Sequence, residues 1–190
     1  MTTLVLAILV MALPSTALAA TVPNPIVRVL RPDDVPGSTN EYLPSGDLQL
    51  GEFADLVGGT SQSKLDLRHT LQTHHFQTAA ITAYAGPWPR SWLSFAIELA
   101  NPSSSRTALA GVVSAAGEGV PTGARMTVTS ESGFSDARLV TFTGSRTGFV
   151  GDEIIVSQGS YLYALSEQQK VSLPRVASLR ALLSRIITRS

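Results

Sequence analysis

The sequence predicts an all-β protein, an antiparallel β-sandwich or jelly-roll-like fold with one short N-terminal helix and an amphipathic C-terminal helix. Three observations lead there. From about residue 65 to 168 the hydropathy alternates with a period of two in many short segments. The segments are separated by turn-forming residues at intervals of roughly 8–14 residues, the signature of antiparallel sandwiches and barrels. Ser and Thr alternate with Val, Ile and Phe, which fits a sheet wetted on one side.

The chain opens on a different pattern. Residues 4–13 read LVLAILVMAL, ten uncharged apolar residues, followed by Pro14, Ser15 and the small-residue site Ala17-Leu18-Ala19. A short apolar core with an A-x-A site describes a secretory signal peptide over residues 1–20, cleaved after Ala19 or Ala20. The run falls short of the ~20 apolar residues that a membrane-spanning helix needs. Met1-Thr2-Thr3 carries no Lys or Arg, so only the amino terminus supplies the usual positive charge.

Residues 21–64 form a Pro-rich leader containing a short helix. Pro23, Pro25, Pro32, Pro36 and Pro44 forbid a continuous helix, and residues 26–30 (IVRVL) read as an edge strand. Over residues 48–57, Leu50, Phe53, Ala54 and Val57 place apolar groups at i, i+3, i+4 and i+7; Asp47 would cap this helix and Gly58-Gly59 would end it.

The sandwich domain is read over residues 65–168. Leu65, Leu67 and Leu71 share one face of a predicted strand. Ala79, Ile81 and Ala83 define a second, and Leu93, Phe95, Ile97 and Leu99 the clearest one. Asn101-Pro102-Ser103-Ser104-Ser105 reads as a loop. Further strands are expected over 107–116, 124–130, 137–143, 149–157 and 160–166. Residues 169–190 form a basic amphipathic helix, with Val176, Leu179, Leu182, Leu183, Ile186 and Ile187 on one arc.

Composition narrows the function classes. There is no cysteine, which removes disulfides, thiol catalysis and thiolate metal sites. The formal net charge is zero, so the basic excess needed to neutralise nucleic-acid phosphates is missing. The ends differ, however. Residues 1–60 hold six acids, while residues 170–190 hold Lys170 and four arginines with no acid. Such a surface suits an anionic partner, or the two ends neutralise each other in the fold.

No coherent catalytic set emerges. Asp66, His69, His74 and His75 lie within ten residues, and imidazoles with a carboxylate can hold a metal or move protons. An enzyme built on them needs Glu118, Asp152 or Glu153 brought alongside. Solvated or core-edge histidines explain the same residues. The stretch 41–52 resembles half of an EF-hand loop, but Leu43 offers no side-chain oxygen and Pro44 interrupts it. Residues 133–137 (GFSDA) approach a nucleophile elbow, yet every histidine precedes Ser135, which is the wrong order for that fold.

Residues 86–92 (GPWPRSW) are the preferred recognition element. Prolines on both sides stiffen Trp88, and Trp with Arg favours contact surfaces, so Trp88, Arg90 and Trp92 are the expected ligand-binding residues. Arg180, Arg185 and Arg189 are the second candidate surface, for a membrane or a partner. The expected function is an exported, non-enzymatic protein with a binding or structural role and no cofactor. Its partner would be a protein, a carbohydrate or an anionic surface, with homo-oligomers allowed. The alternatives are a secreted hydrolase or metal-dependent enzyme centred on the histidines, and a self-assembling jelly-roll shell subunit.

Overall fold

Among the described residues, seven antiparallel strands form one sheet in the order β1-β2-β3-β7-β6-β5-β4. In chain order they are β1 (Thr39–Tyr42), β2 (Phe76–Ala85), β3 (Ser91–Leu99), β4 (Arg125–Ser130), β5 (Ala137–Thr143), β6 (Val150–Gln158) and β7 (Tyr161–Gln169). The computed structural model describes residues 24–42, 48–87, 90–118, 123–144, 148, 150–170 and 174–189, with the backbone alone at 40–42 and 118. The signal-peptide segment, Asp47 and Trp88 lie outside the described residues.

Among the described residues four α-helices flank the sheet: α1 (Leu50–Val57), α2 (Ser61–Thr73), α3 (Pro102–Glu118) and α4 (Val176–Ile187). On one face, α1, α2 and α3 bury Phe53, Leu67, Leu71 and Val112 against Ile81, Phe95, Ile97, Val140, Ile155 and Leu162. On the other face, α4 and the N-terminal segment bury Leu30, Leu179, Leu183 and Ile186 against Tyr84, Ala96, Ile154, Val156, Tyr163 and Leu165. Sheet residues alternate between these two cores, as the strand period requires.

This is a mixed α/β arrangement, and it corrects the two-sheet expectation. Two segments read as strands are helices. In residues 65–71, Leu67 and Leu71 are buried four residues apart on α2, while Leu65 is 56% exposed. Thr60 caps that helix by accepting the Ser63 N–H at 3.0 Å. In residues 107–116, now part of α3, Ala108, Leu109, Val112 and Val113 are buried at helical spacing. Asn101 caps α3, its Oδ1 accepting the Ser104 N–H at 2.9 Å, and Pro102 sits at the first helical position, where its missing N–H costs nothing. Gly111 lets α2 and α3 approach closely, since a Cβ there would lie 2.5 Å from the Thr70 methyl.

The leader also differs. Residues 25–28 form a 3-10 turn instead of an edge strand, because Pro25 fixes the first turn and Asn24 caps it. The edge strand that does form is β1, paired with β2. The predicted short helix is present as α1, with Gln49 at its N-cap and Gly58 at its C-cap. The later strand expectations match β4 to β7 to within three residues, and the helix expected over 169–190 is present as the shorter α4, residue 169 belonging to β7.

Candidate functional site

The site of most chemical interest lies between the α1–α3 layer and the sheet. There the packing leaves a cavity of about 180 Å³. Its floor is Leu93 and Phe95 of β3, Phe142 of β5, Gly151 and Glu153 of β6, and Ser166 of β7. Its roof is Leu67 of α2 with Val112, Ala115 and Ala116 of α3. Exposed Gly59 and Gln168 stand on its rim, so it opens to solvent at that end.

Most of the wall is hydrocarbon; Ser63, Ser166, Gln168 and Glu153 are its polar side chains, and among them Glu153 alone can carry a charge. Neighbouring residues of β6 point to opposite sides of the sheet. Ile155 belongs to the α1–α3 core and Ile154 to the α4 core, so Glu153 faces the first and Asp152 the second. Glu153 is only 7% exposed. Among the described residues its carboxyl makes no hydrogen bond or ion pair. Its cross-strand neighbours are Val140 on β5 and Ser166 on β7. Burial alone pushes the Glu153 carboxyl up to about 7. Ser63, also on the wall, is already engaged: its hydroxyl donates to the Ala115 carbonyl at 3.1 Å.

The other face treats its acids differently. Asp152 accepts a hydrogen bond from the Thr141 hydroxyl at 2.6 Å. Burial and the nearby Glu167 charge together raise the Asp152 carboxyl despite that bond. Glu131 is raised by burial, but the Arg180 hydrogen bond, the Gly133 N–H and the Arg180 charge outweigh this and hold it below the usual carboxylate range. Glu167 is paired with Arg90. Arg28 donates to the Tyr163 hydroxyl at 2.8 Å and stacks over Tyr161, clamping the N-terminal segment to β7.

The residues singled out in the sequence fall as follows. Trp92 is buried against the α4 core. Arg90 is paired with Glu167, and its guanidinium lies 4.6 Å over the Trp92 ring. Arg180 is paired with Glu131, and Arg189 with Asp34. Arg185 lines a shallow depression with Arg90, Trp92 and Glu167.

The histidines sit away from the cavity. Asp66 and His69 lie on α2, where Asp66 accepts from the Gln62 amide at 2.8 Å. His74 caps the end of that helix, its Nδ1 3.2 Å from the Thr107 hydroxyl, and His75 takes a left-handed backbone (φ 58°) in the following turn. None of the three histidines lines the cavity; seven residues of helix separate Leu67, in its roof, from His74, roughly 10 Å at 1.5 Å per residue. Neither Asp152 nor Glu153 lies beside them, and the Glu118 side chain is outside the described residues. Among the described residues no group of three or more His, Asp or Glu side chains is placed to hold a metal ion. No helix among them is long and apolar enough to cross a membrane.

Glu153 as a lone cavity carboxyl was missed in the sequence, where it entered only as a partner for the histidines. One signal was available. Asp152-Glu153 interrupts an apolar run, VGDEIIV, in which both alternating faces are hydrophobic. A strand covered on both sides must bury one acid in each core.

No family model and no curated protein matches this chain. Among solved structures it is similar to the extracellular domain of PknH from Mycobacterium tuberculosis, at 5% identity and a TM-score of 0.47, over 64% of this chain and 70% of that one. It is also similar to a putative uncharacterized protein (Rv0999 ortholog) from Mycobacterium smegmatis, at 17% identity and a TM-score of 0.33, over 84% of this chain and 82% of that one.

Proposed function

We propose that this chain is an exported, non-enzymatic binding protein whose cavity beneath α1–α3 receives a small, largely hydrophobic ligand. The observation that carries the reading is an apolar cavity of about 180 Å³ with one unpartnered carboxyl in its wall. Protein cores close to crystal-like density, and a void forfeits packing energy in proportion to its size. A buried acid without a partner adds a further cost. Two unfavourable features at one place, neither needed to join β6 to its neighbours, are what a binding site requires and a structural core avoids. A dry cavity of ~150 Å³ takes up benzene, so this one has room for a single ring with a short substituent.

The export half of the reading rests on residues 1–20. N-terminal sequencing of protein recovered outside the cell should begin at Ala20 or Thr21. Intact Met1 on protein held inside the cell would remove export from the proposal.

Toluene tests the cavity, because it offers shape and hydrophobicity without charge. At ten times its dissociation constant it should raise the unfolding temperature by about 3 °C. Ala116→Leu, which places three more carbons in the cavity, should abolish the rise while the variant stays folded. An unchanged transition for the parent chain in saturated toluene overturns the reading.

A further inference from the structure

The cavity reading leaves the ligand's chemistry open, and the wall narrows it. Resting on that reading, we propose that the cavity binds small hydrophobic amines, with the protonated nitrogen on Glu153 and the hydrocarbon against Leu67, Phe95, Val112 and Phe142.

Charge is the first argument. Among the described residues that line the cavity, Glu153 alone is ionisable. The α1 end contributes Val57, Gly58 and Gly59, and α2 contributes Ser63 and Leu67. The remaining wall from α3, β3, β5 and β7 offers Ala, Val, Leu, Phe, Ser and Gln side chains. The nearest basic residues of α2 do not reach it: Lys64 and Arg68 are turned to Asp55 on α1, at 3.9 and 2.8 Å. An anionic ligand would therefore meet only a second negative charge or a neutral acid.

The second argument is the division of the desolvation cost. Bringing two ions out of water for one buried pair is barely favourable, because each must be stripped. Here folding has already stripped Glu153, and the acid is left without compensation. The incoming ammonium bears only its own cost and relieves the cost already in place. Ser166 and Gln168 line the same wall and offer side-chain oxygens for the remaining ammonium N–H groups. Phe95 and Phe142 line the same space with aromatic rings, whose π-faces attract cations.

Size is the third argument. A volume near 180 Å³ admits one aromatic ring with a two-carbon amine arm, but not a drug-sized molecule, which needs ~300 Å³ or more.

The test is calorimetric titration with three matched probes: 2-phenylethylamine, toluene and 3-phenylpropionate. The amine should bind best at pH 8. Its affinity should rise about tenfold from pH 6 to pH 8 as Glu153 ionises, since the amine is protonated throughout. Glu153→Gln should lose that slope and at least tenfold in amine affinity, while keeping toluene. If toluene binds but the amine binds no tighter, or 3-phenylpropionate binds tighter than the amine, the amine assignment is overturned and the cavity reading stands. A profile flat from pH 4 to pH 8 in the parent chain overturns it equally, with no variant needed. If none of the three probes binds, both readings fall together.

Discussion

On the α4 side of the sheet every buried acid has a partner. Glu131 pairs with Arg180, Glu167 with Arg90, and Asp152 with the Thr141 hydroxyl. On the α1–α3 side Glu153 is also buried and has none among the described residues. The two faces share one set of strands, and Asp152 and Glu153 are neighbours in the chain. Buried acids on the α4 face fasten surrounding segments: Arg180 ties α4 to the β4–β5 turn, and Arg90 ties the β2–β3 loop to β7. The acid on the other face fastens nothing, and the space beside it is empty of side chains. On one face the buried acids join segments together; on the other a single acid stands beside a cavity.

The largest way to break this comparison is Glu153→Gln. The folded carboxyl ionises near 7 and an ordinary one near 4.5. Between those values the folded state holds more protons than the unfolded state, so stability falls as pH rises through the window. The gap corresponds to about 3 kcal/mol, fully lost above the upper value. Glutamine does not ionise, so the variant should be about 3 kcal/mol more stable than the parent at pH 8 and equal to it at pH 4, by urea unfolding. An equal difference at both pH values would mean that Glu153 is not a lone buried acid.

Arg180→Ala should have a smaller effect of opposite sign. It strands Glu131, whose side chain is 3% exposed, and should cost about 2 kcal/mol at pH 7. The figure is set below that of a fully buried pair because Arg180 is 38% exposed and water can take its place. Glu131 ionises below the usual range, so the stabilisation by its pair is present above the unfolded value near 4.5 and is lost as pH falls through the folded one. The penalty should therefore shrink by pH 3. A loss that persists there would assign the effect to packing of the arginine stem over Gly133.

Much of the sheet was legible because its alternation is strict. Leu93, Phe95, Ile97 and Leu99 all reach the α1–α3 core, as their spacing requires. The arc of α4 was legible for the same reason, and Leu179, Leu182, Leu183 and Ile186 are its buried residues. The failures came where two periods fit the same letters. Leu67 and Leu71 are two steps of a strand or one turn of a helix, and in α3 a run of Ala, Val and Ser is apolar on nearly every side. Start signals would have decided both: Thr60 before α2, and Asn101-Pro102 before α3. Once those two segments are helices, the supposed second sheet has no strands left to build it. The candidate site was hidden for a further reason. A cavity is a property of what three helices fail to fill, and no local pattern records it. Arg90 and Trp92 were expected to face a ligand; what the sequence could not record is that Arg90 lies over the Trp92 ring and pairs with Glu167, 77 positions away.

The strand order has a consequence for how such a chain comes into being. β7 lies in the middle of the sheet, between β3 and β6, yet among the described strands it comes last in chain order. Until Tyr161–Gln169 is available, the hairpin of β2 and β3 and the meander of β4 to β6 each keep a raw edge with nothing to close it. Long-range pairing of this kind is slow. A sheet whose keystone comes last in strand order cannot close from either half until that strand is in place.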